Sequence, residues 1–79
     1  MNRDDSDIIK KVFLLAVLKR EEGEEMETTL NALVNTGMFD KKEGREVLNT
    51  LIKEHYISNN SLTMKGVMLA QQAQREFTL

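Results

Sequence analysis

The chain has 79 residues, enough for one small domain with one core and too few for a two-domain enzyme or a repeat array. It contains neither Cys nor Pro, which excludes a disulfide framework, a thiolate nucleophile, a Cys-based zinc site and a Pro-rich linker. Eleven Lys and Arg against thirteen Asp and Glu leave a formal charge of −2, so the overall balance does not advertise a polyanionic partner. The acids are unevenly placed: residues 1–27 hold five bases and eight acids, 5 − 8 = −3, and residues 28–79 hold six bases and five acids, 6 − 5 = +1.

Asp4, Asp5, Ser6 and Asp7 suit a helix N-terminus, where carboxylates meet the positive end of the dipole, and Lys19 and Arg20 suit its C-terminus. Gly23 then stops it, which predicts a first helix over roughly Ser6–Glu21. Its longest apolar run, Val12–Leu18, is seven residues, whereas a membrane span needs about 20. Lys19, Arg20 and five acids follow with no small-residue cleavage site, so a signal peptide is not expected either. The chain is expected to be cytoplasmic, unprocessed and without a membrane span, and the absence of Cys agrees.

Leu30, Leu33 and Val34 recur at helical spacing and predict a second helix, ended by the turn signal Asn35-Thr36-Gly37. Asp40 and Glu43 have the spacing of a capping box and mark the start of a third, whose apolar face is Val47, Leu48, Leu51 and Ile52. Tyr56 and Ile57 predict a strand, Asn59-Asn60 a tight hairpin turn, and Leu62–Met64 the return strand. From Gly66 to about Phe77 the pattern is helical again. The expectation over residues 1–79 is one mostly α domain with a small β-hairpin: helix, helix, helix, strand, strand, helix.

At about 100° per residue, Gly44 falls in the middle of the apolar face of the third helix. A helical Gly costs about 1 kcal/mol against Ala. A close backbone approach to helix two would explain it, and a tolerated weak spot in the first turn is the alternative. The opposite side collects Lys42, Arg45, Glu46, Asn49 and Lys53, a net positive stripe on an acidic protein. These are residue types that meet phosphates and base edges in a major groove. The bland reading is a solvated face in which Lys42 and Glu46 form an i,i+4 pair worth about 0.2–0.5 kcal/mol. Thr28, Asn31 and Asn35 on helix two suit phosphates or plain solvent equally.

Three helices followed by a two-stranded hairpin is the order of a winged helix-turn-helix, and two segments carry the resemblance. Val47-Leu48-Asn49-Thr50-Leu51-Ile52-Lys53-Glu54-His55-Tyr56-Ile57 resembles the end of a recognition helix running into the first wing strand of MarR- and PadR-like bacterial regulators. Leu62-Thr63-Met64-Lys65-Gly66 resembles the signature that closes the wing and opens the next helix in those families. The likeness is best over residues 40–70. It implies a winged-helix fold and a DNA-binding regulator of transcription. The wing tip Ser58-Asn59-Asn60-Ser61 departs from the pattern, being short and without Arg or Lys, so helix three would have to do most of the DNA binding.

The first helix is apolar on every side, through Ile8, Ile9, Val12, Phe13, Leu14, Leu15, Ala16, Val17 and Leu18. Such a helix must be covered on both sides. Helices two and three can cover one; the last helix, a second subunit, or both must cover the other. Gly66, Leu69, Ala70, Ala73 and Phe77 form a small-residue seam on the last helix. A two-fold homodimer on helices one and four is therefore expected, with Phe13, Leu14, Val17, Leu18, Leu69, Ala73 and Phe77 at the interface.

Enzymatic chemistry is not expected. The single His, His55, sits at a helix-to-strand junction with no second His or Cys, which suits a capping or surface role better than a metal. No phosphate loop, Ser-His-Asp set or His-Glu-x-x-His occurs, no cofactor or metal is implied, and Glu21–Glu27 reads as a solvated loop. Met26, Met38, Met64 and Met68 read as core filler. Two functions compete: a small dimeric regulator that places helix three in the major groove of double-stranded DNA, and a winged helix used as a protein-interaction module without DNA binding.

Overall fold

The computed structural model describes residues 3–21 and 23–77, residues 3–6 by their backbone alone. Four helices and a two-stranded antiparallel sheet follow in the order α1 (Arg3–Lys19), α2 (Met26–Asn35), α3 (Lys41–Lys53), β1 (Ile57–Ser58), β2 (Ser61–Leu62), α4 (Met64–Phe77). None of these helices is long and apolar enough to cross a membrane. The protein is mostly helical with a small hairpin, in the expected order.

α1 begins earlier than the acid cluster suggested and ends at Lys19, before Glu21. The side chains of Asp4, Asp5 and Ser6, expected at its N-terminus, lie outside the described residues. Gly23 sits beyond the helix end in a turn at φ 90°. That turn is closed by the Glu21 N–H donating to the Glu24 carboxylate at 2.8 Å.

The core forms where all four helices meet: Phe13, Leu14, Leu30, Leu51, Ala70 and Ala73 are fully covered. Phe13 stacks on Phe39 of the α2–α3 turn, with ring centroids 6.2 Å apart. α1 packs most extensively against α4, whose Ala70 and Ala73 are buried. Its second side is thus partly covered within one chain: Ile8 stays exposed, and Ile9, Val12, Leu15 and Leu18 are half-buried. Small side chains let the helix axes approach, and two exposed ion pairs flank the contact, Lys10–Glu54 at 3.3 Å and Lys11–Glu76 at 2.8 Å. The Glu76 carboxyl is held below its ordinary pKa by the hydrogen bond from Lys11 and then by that from Gln72.

Phe13, Leu14, Val17 and Ala73, expected at a dimer interface, are buried by their own chain and cannot face a second one. Leu18 and Leu69 are half-buried, and Phe77 is exposed. Among the described methionines only Met26 is core; Met38, Met64 and Met68 are exposed, the last two on the outer side of α4. Their residue type alone reads as core filler, but helical spacing sets Met64 and Met68 opposite buried Gly66, Ala70 and Ala73, so both face outward.

α2 ends as expected, on a left-handed Gly37 whose N–H donates to the Val34 carbonyl at 3.0 Å. α3 starts on Asp40, whose side chain accepts from the Glu43 N–H at 2.8 Å. It ends in a Schellman arrangement: His55 takes the left-handed position at φ 67° and donates to the Ile52 carbonyl, while the Tyr56 N–H reaches back to Leu51. His55 is exposed there, in the capping role its position suggested.

Both glycines that looked out of place in a helix are close-approach sites. A Cβ on Gly44 would meet the Leu30 side chain of α2 and stand 2.7 Å from the Phe39 ring. A Cβ on Gly66 would run into the Tyr56 carbonyl oxygen. α4 starts at Met64, two residues before Gly66, because Thr63 caps it: the Thr63 hydroxyl accepts from the Gly66 N–H at 3.1 Å and donates to the His55 carbonyl at 2.6 Å. The return strand accordingly stops at Leu62.

The two glycines should respond differently to Ala. At Gly66 the obstacle is backbone, so Gly66→Ala should cost about 1–3 kcal/mol of stability through overpacking. At Gly44 the obstacles are the buried Leu30 and Phe39 side chains, which can give only a little, while the helix regains about 1 kcal/mol of propensity, so Gly44→Ala should also destabilise but by less than Gly66→Ala. Urea unfolding of the two variants checks the order; equal losses would show that the Tyr56 contact is not limiting.

Candidate nucleic-acid interface

The side of α3 opposite the core is the charged surface that the sequence singled out. Lys42, Arg45, Glu46, Asn49 and Lys53 all lie outside the core, while Gly44 and Leu51 of the same helix are buried. The helix is therefore fixed on one side and open on the other. Thr28, Asn31 and Asn35 of α2 lie outside the core as well.

Arg45 does not stand free. Its Nη2 donates to Glu27 Oε2 at 2.9 Å, and Lys41 Nζ lies 3.5 Å from the same oxygen. Glu27 belongs to the first turn of α2, where a carboxylate also meets the helix dipole favourably. Lys42 and Lys53 have no ion pair among the described residues. Glu54 is held by Lys10, which leaves the charge of neighbouring Lys53 uncompensated.

The hairpin pairs Ile57 with Leu62 and Ser58 with Ser61. Asn59 and Asn60 take φ 52° and 65°, as a two-residue turn of the I′ type requires. Its tip is tied down. Asn60 Oδ1 accepts from the Met26 N–H at 2.8 Å and so caps α2, whose own N-cap residue, Glu25, makes no side-chain cap bond. The Asn60 carbonyl accepts from the Arg20 guanidinium. A tip held on the α1–α2 connection is not a free arm.

Lys65 serves the fold as well. Its Nζ donates to the Glu54 carbonyl at 2.9 Å, satisfying the end of α3, and lies 4.4 Å from the Tyr56 ring centroid in a cation–π contact.

No protein-family model, curated protein or solved structure matches the chain. The functional reading rests on the geometry above. Among the described residues no group of three or more His, Asp or Glu is placed to hold a metal ion.

Three residues that matter here carry no marked signal in the sequence. Glu27 and Lys41 acquire a role only through the packing of α2 on α3, which unites them with Arg45. Asn60 is legible as a turn residue through its dipeptide but not as the cap of a helix 34 residues earlier.

The Asn60 tether can be separated from the turn itself. Asn60→Gly keeps the left-handed backbone and removes only the cap, which should cost about 0.5–2 kcal/mol. Asn60→Ala adds a strained left-handed Ala and should cost about 1–2 kcal/mol more. Thermal unfolding of both checks this; an unchanged Tm in Asn60→Gly would mean the cap contributes nothing.

Proposed function

We propose that the chain is a winged-helix domain that binds duplex DNA as a dimer and regulates transcription, with α3 in the major groove. The observation that carries this reading is the two-sidedness of α3: its inner side is locked on α2 through Gly44, and its outer side presents Lys42, Arg45, Glu46, Asn49 and Lys53 to solvent. In that role Lys42 and Lys53 would meet phosphates, while Arg45 offers paired donors to a guanine edge and Asn49 a donor and an acceptor to an adenine edge. The element order and the Leu62–Gly66 segment support the likeness to MarR- and PadR-like regulators.

A single short helix with few free cations makes a small footprint, so two copies on half-sites about 34 Å apart suit it better than one. The surface left for self-association is the outer edge of α1 and α4, where Ile8 and Phe77 are exposed and Leu18 and Leu69 half-buried.

A second reading, a winged helix that binds protein, draws on other observations. The hairpin tip is uncharged and tethered, and Met64 and Met68, 77 % and 63 % exposed, put flexible apolar side chains on the outside of α4.

Titration with random-sequence duplex DNA, followed by amide resonances, separates the two. The DNA reading expects shifts in residues 41–53 at low salt and a log–log salt slope of about −0.9 per phosphate contacted. Replacing both Lys42 and Lys53 by Ala should flatten that slope by about 2. A silent α3 at low salt would leave the protein-binding reading.

A further inference from the structure

Among the described residues, Glu27 is the carboxylate that reaches the open side of α3 from another helix to engage its cations. Its Oε2 stands between the guanidinium of Arg45, at 2.9 Å, and the ammonium of Lys41, at 3.5 Å. All three side chains are about half exposed, at 41 %, 53 % and 55 % for Glu27, Arg45 and Lys41, so the cluster is open to a ligand. A carboxylate offers those cations one negative charge and an acceptor oxygen. A phosphodiester group offers them the same.

From this we infer that Glu27 is an internal stand-in for a DNA phosphate, a specificity-determining residue that holds Arg45 and Lys41 until a nucleic acid displaces it. The inference rests on the DNA-binding reading of α3. Exposed ion pairs are weak, so displacement is feasible. Non-specific duplex offers only phosphate in exchange for carboxylate, one anion for another, and gains little. A specific site adds base-edge contacts from the released Arg45 and from Asn49, which Glu27 cannot imitate. Glu27 therefore penalises indiscriminate binding more than specific binding, discrimination obtained by opposing the wrong complex.

The test compares wild type, Glu27→Gln and Glu25→Gln by fluorescence anisotropy on a random-sequence duplex across a salt series. Glu25 is exposed at the α2 N-cap and makes no side-chain cap bond, so its variant changes net charge by the same amount without touching the cluster. Thermal unfolding confirms that each variant is folded. Glu27→Gln should bind at least about threefold tighter than Glu25→Gln, with a log–log salt slope steeper by about 1–2 as two cations become available to phosphates. Equal gains in the two variants, or no gain or a loss in Glu27→Gln while wild type binds, would overturn the inference and leave α3 as the DNA-binding element. Absence of binding by all three proteins at low salt would overturn both.

Discussion

Three successive carbonyls at the end of α3 hold this fold together, and the segment that opens α4 satisfies them. Lys65 donates to the Glu54 carbonyl, the Thr63 hydroxyl to His55, and the Thr63 N–H to Tyr56 at 3.0 Å. Gly66 then lets α4 pass against the Tyr56 carbonyl where a Cβ would collide. Helix ends leave carbonyls without intrahelical partners, and these three are paired by one following segment. Here one segment ends α3, closes the hairpin and starts α4 at a fixed angle. The direction of α4 decides how it covers α1, so the core inherits its geometry from this junction.

That coverage settles how a helix with no polar side is accommodated in a small protein. By composition α1 is too apolar for helices two and three to bury, which makes a second subunit an attractive partner. α4, with buried Ala70 and Ala73, packs on α1 more extensively than any other element does, and Phe13, Leu14 and Val17 are buried within one chain. What remains for association is the outer surface of α1 and α4, where Ile8, Met64, Met68 and Phe77 are exposed and Ile9, Val12, Leu15, Leu18 and Leu69 half-buried.

The parts of the fold legible in the sequence are those set by residues a few positions apart. The Asp40 cap, the Gly37 stop and the Asn59-Asn60 turn each act within about four residues, so local rules place them. Gly44 was also legible, because a glycine centred on an apolar helix face marks the place where a neighbouring helix needs room. The illegible parts depend on packing that brings distant segments together. Asn60 caps a helix 34 residues away, and Arg45 meets a carboxylate 18 residues away. Met64 and Met68 were misread by residue type: the seam of Gly66, Ala70 and Ala73 already sets the opposite side of α4 outward, and both methionines lie on it. The candidate site followed the same division. Its five α3 residues share one open face, as helical periodicity requires, but the acid that engages Arg45 comes from α2.

The distribution of pairs changes what a net charge of −2 means for the surface of α3. Counted by position, α3 with its cap residues Asp40 and Glu54 carries as many acids as bases, four of each. Counted by pairing, Glu54 is occupied by Lys10, and Glu27 occupies Arg45 and Lys41 together. Among the described residues of α3, Lys42 and Lys53 remain as cations outside any ion pair on the same open stripe as Asn49, against the unpaired acids Glu43 and Glu46, of which Glu46 shares the stripe. A polyanion approaching this face would meet a weakly positive surface whose strongest donor is already engaged. Long-range attraction would be slight, since the whole chain is acidic and salt screens exposed charges beyond about 10 Å. In the proposed complex, binding would therefore depend less on steering than on close contacts, and those of Arg45 become available only as Glu27 gives it up.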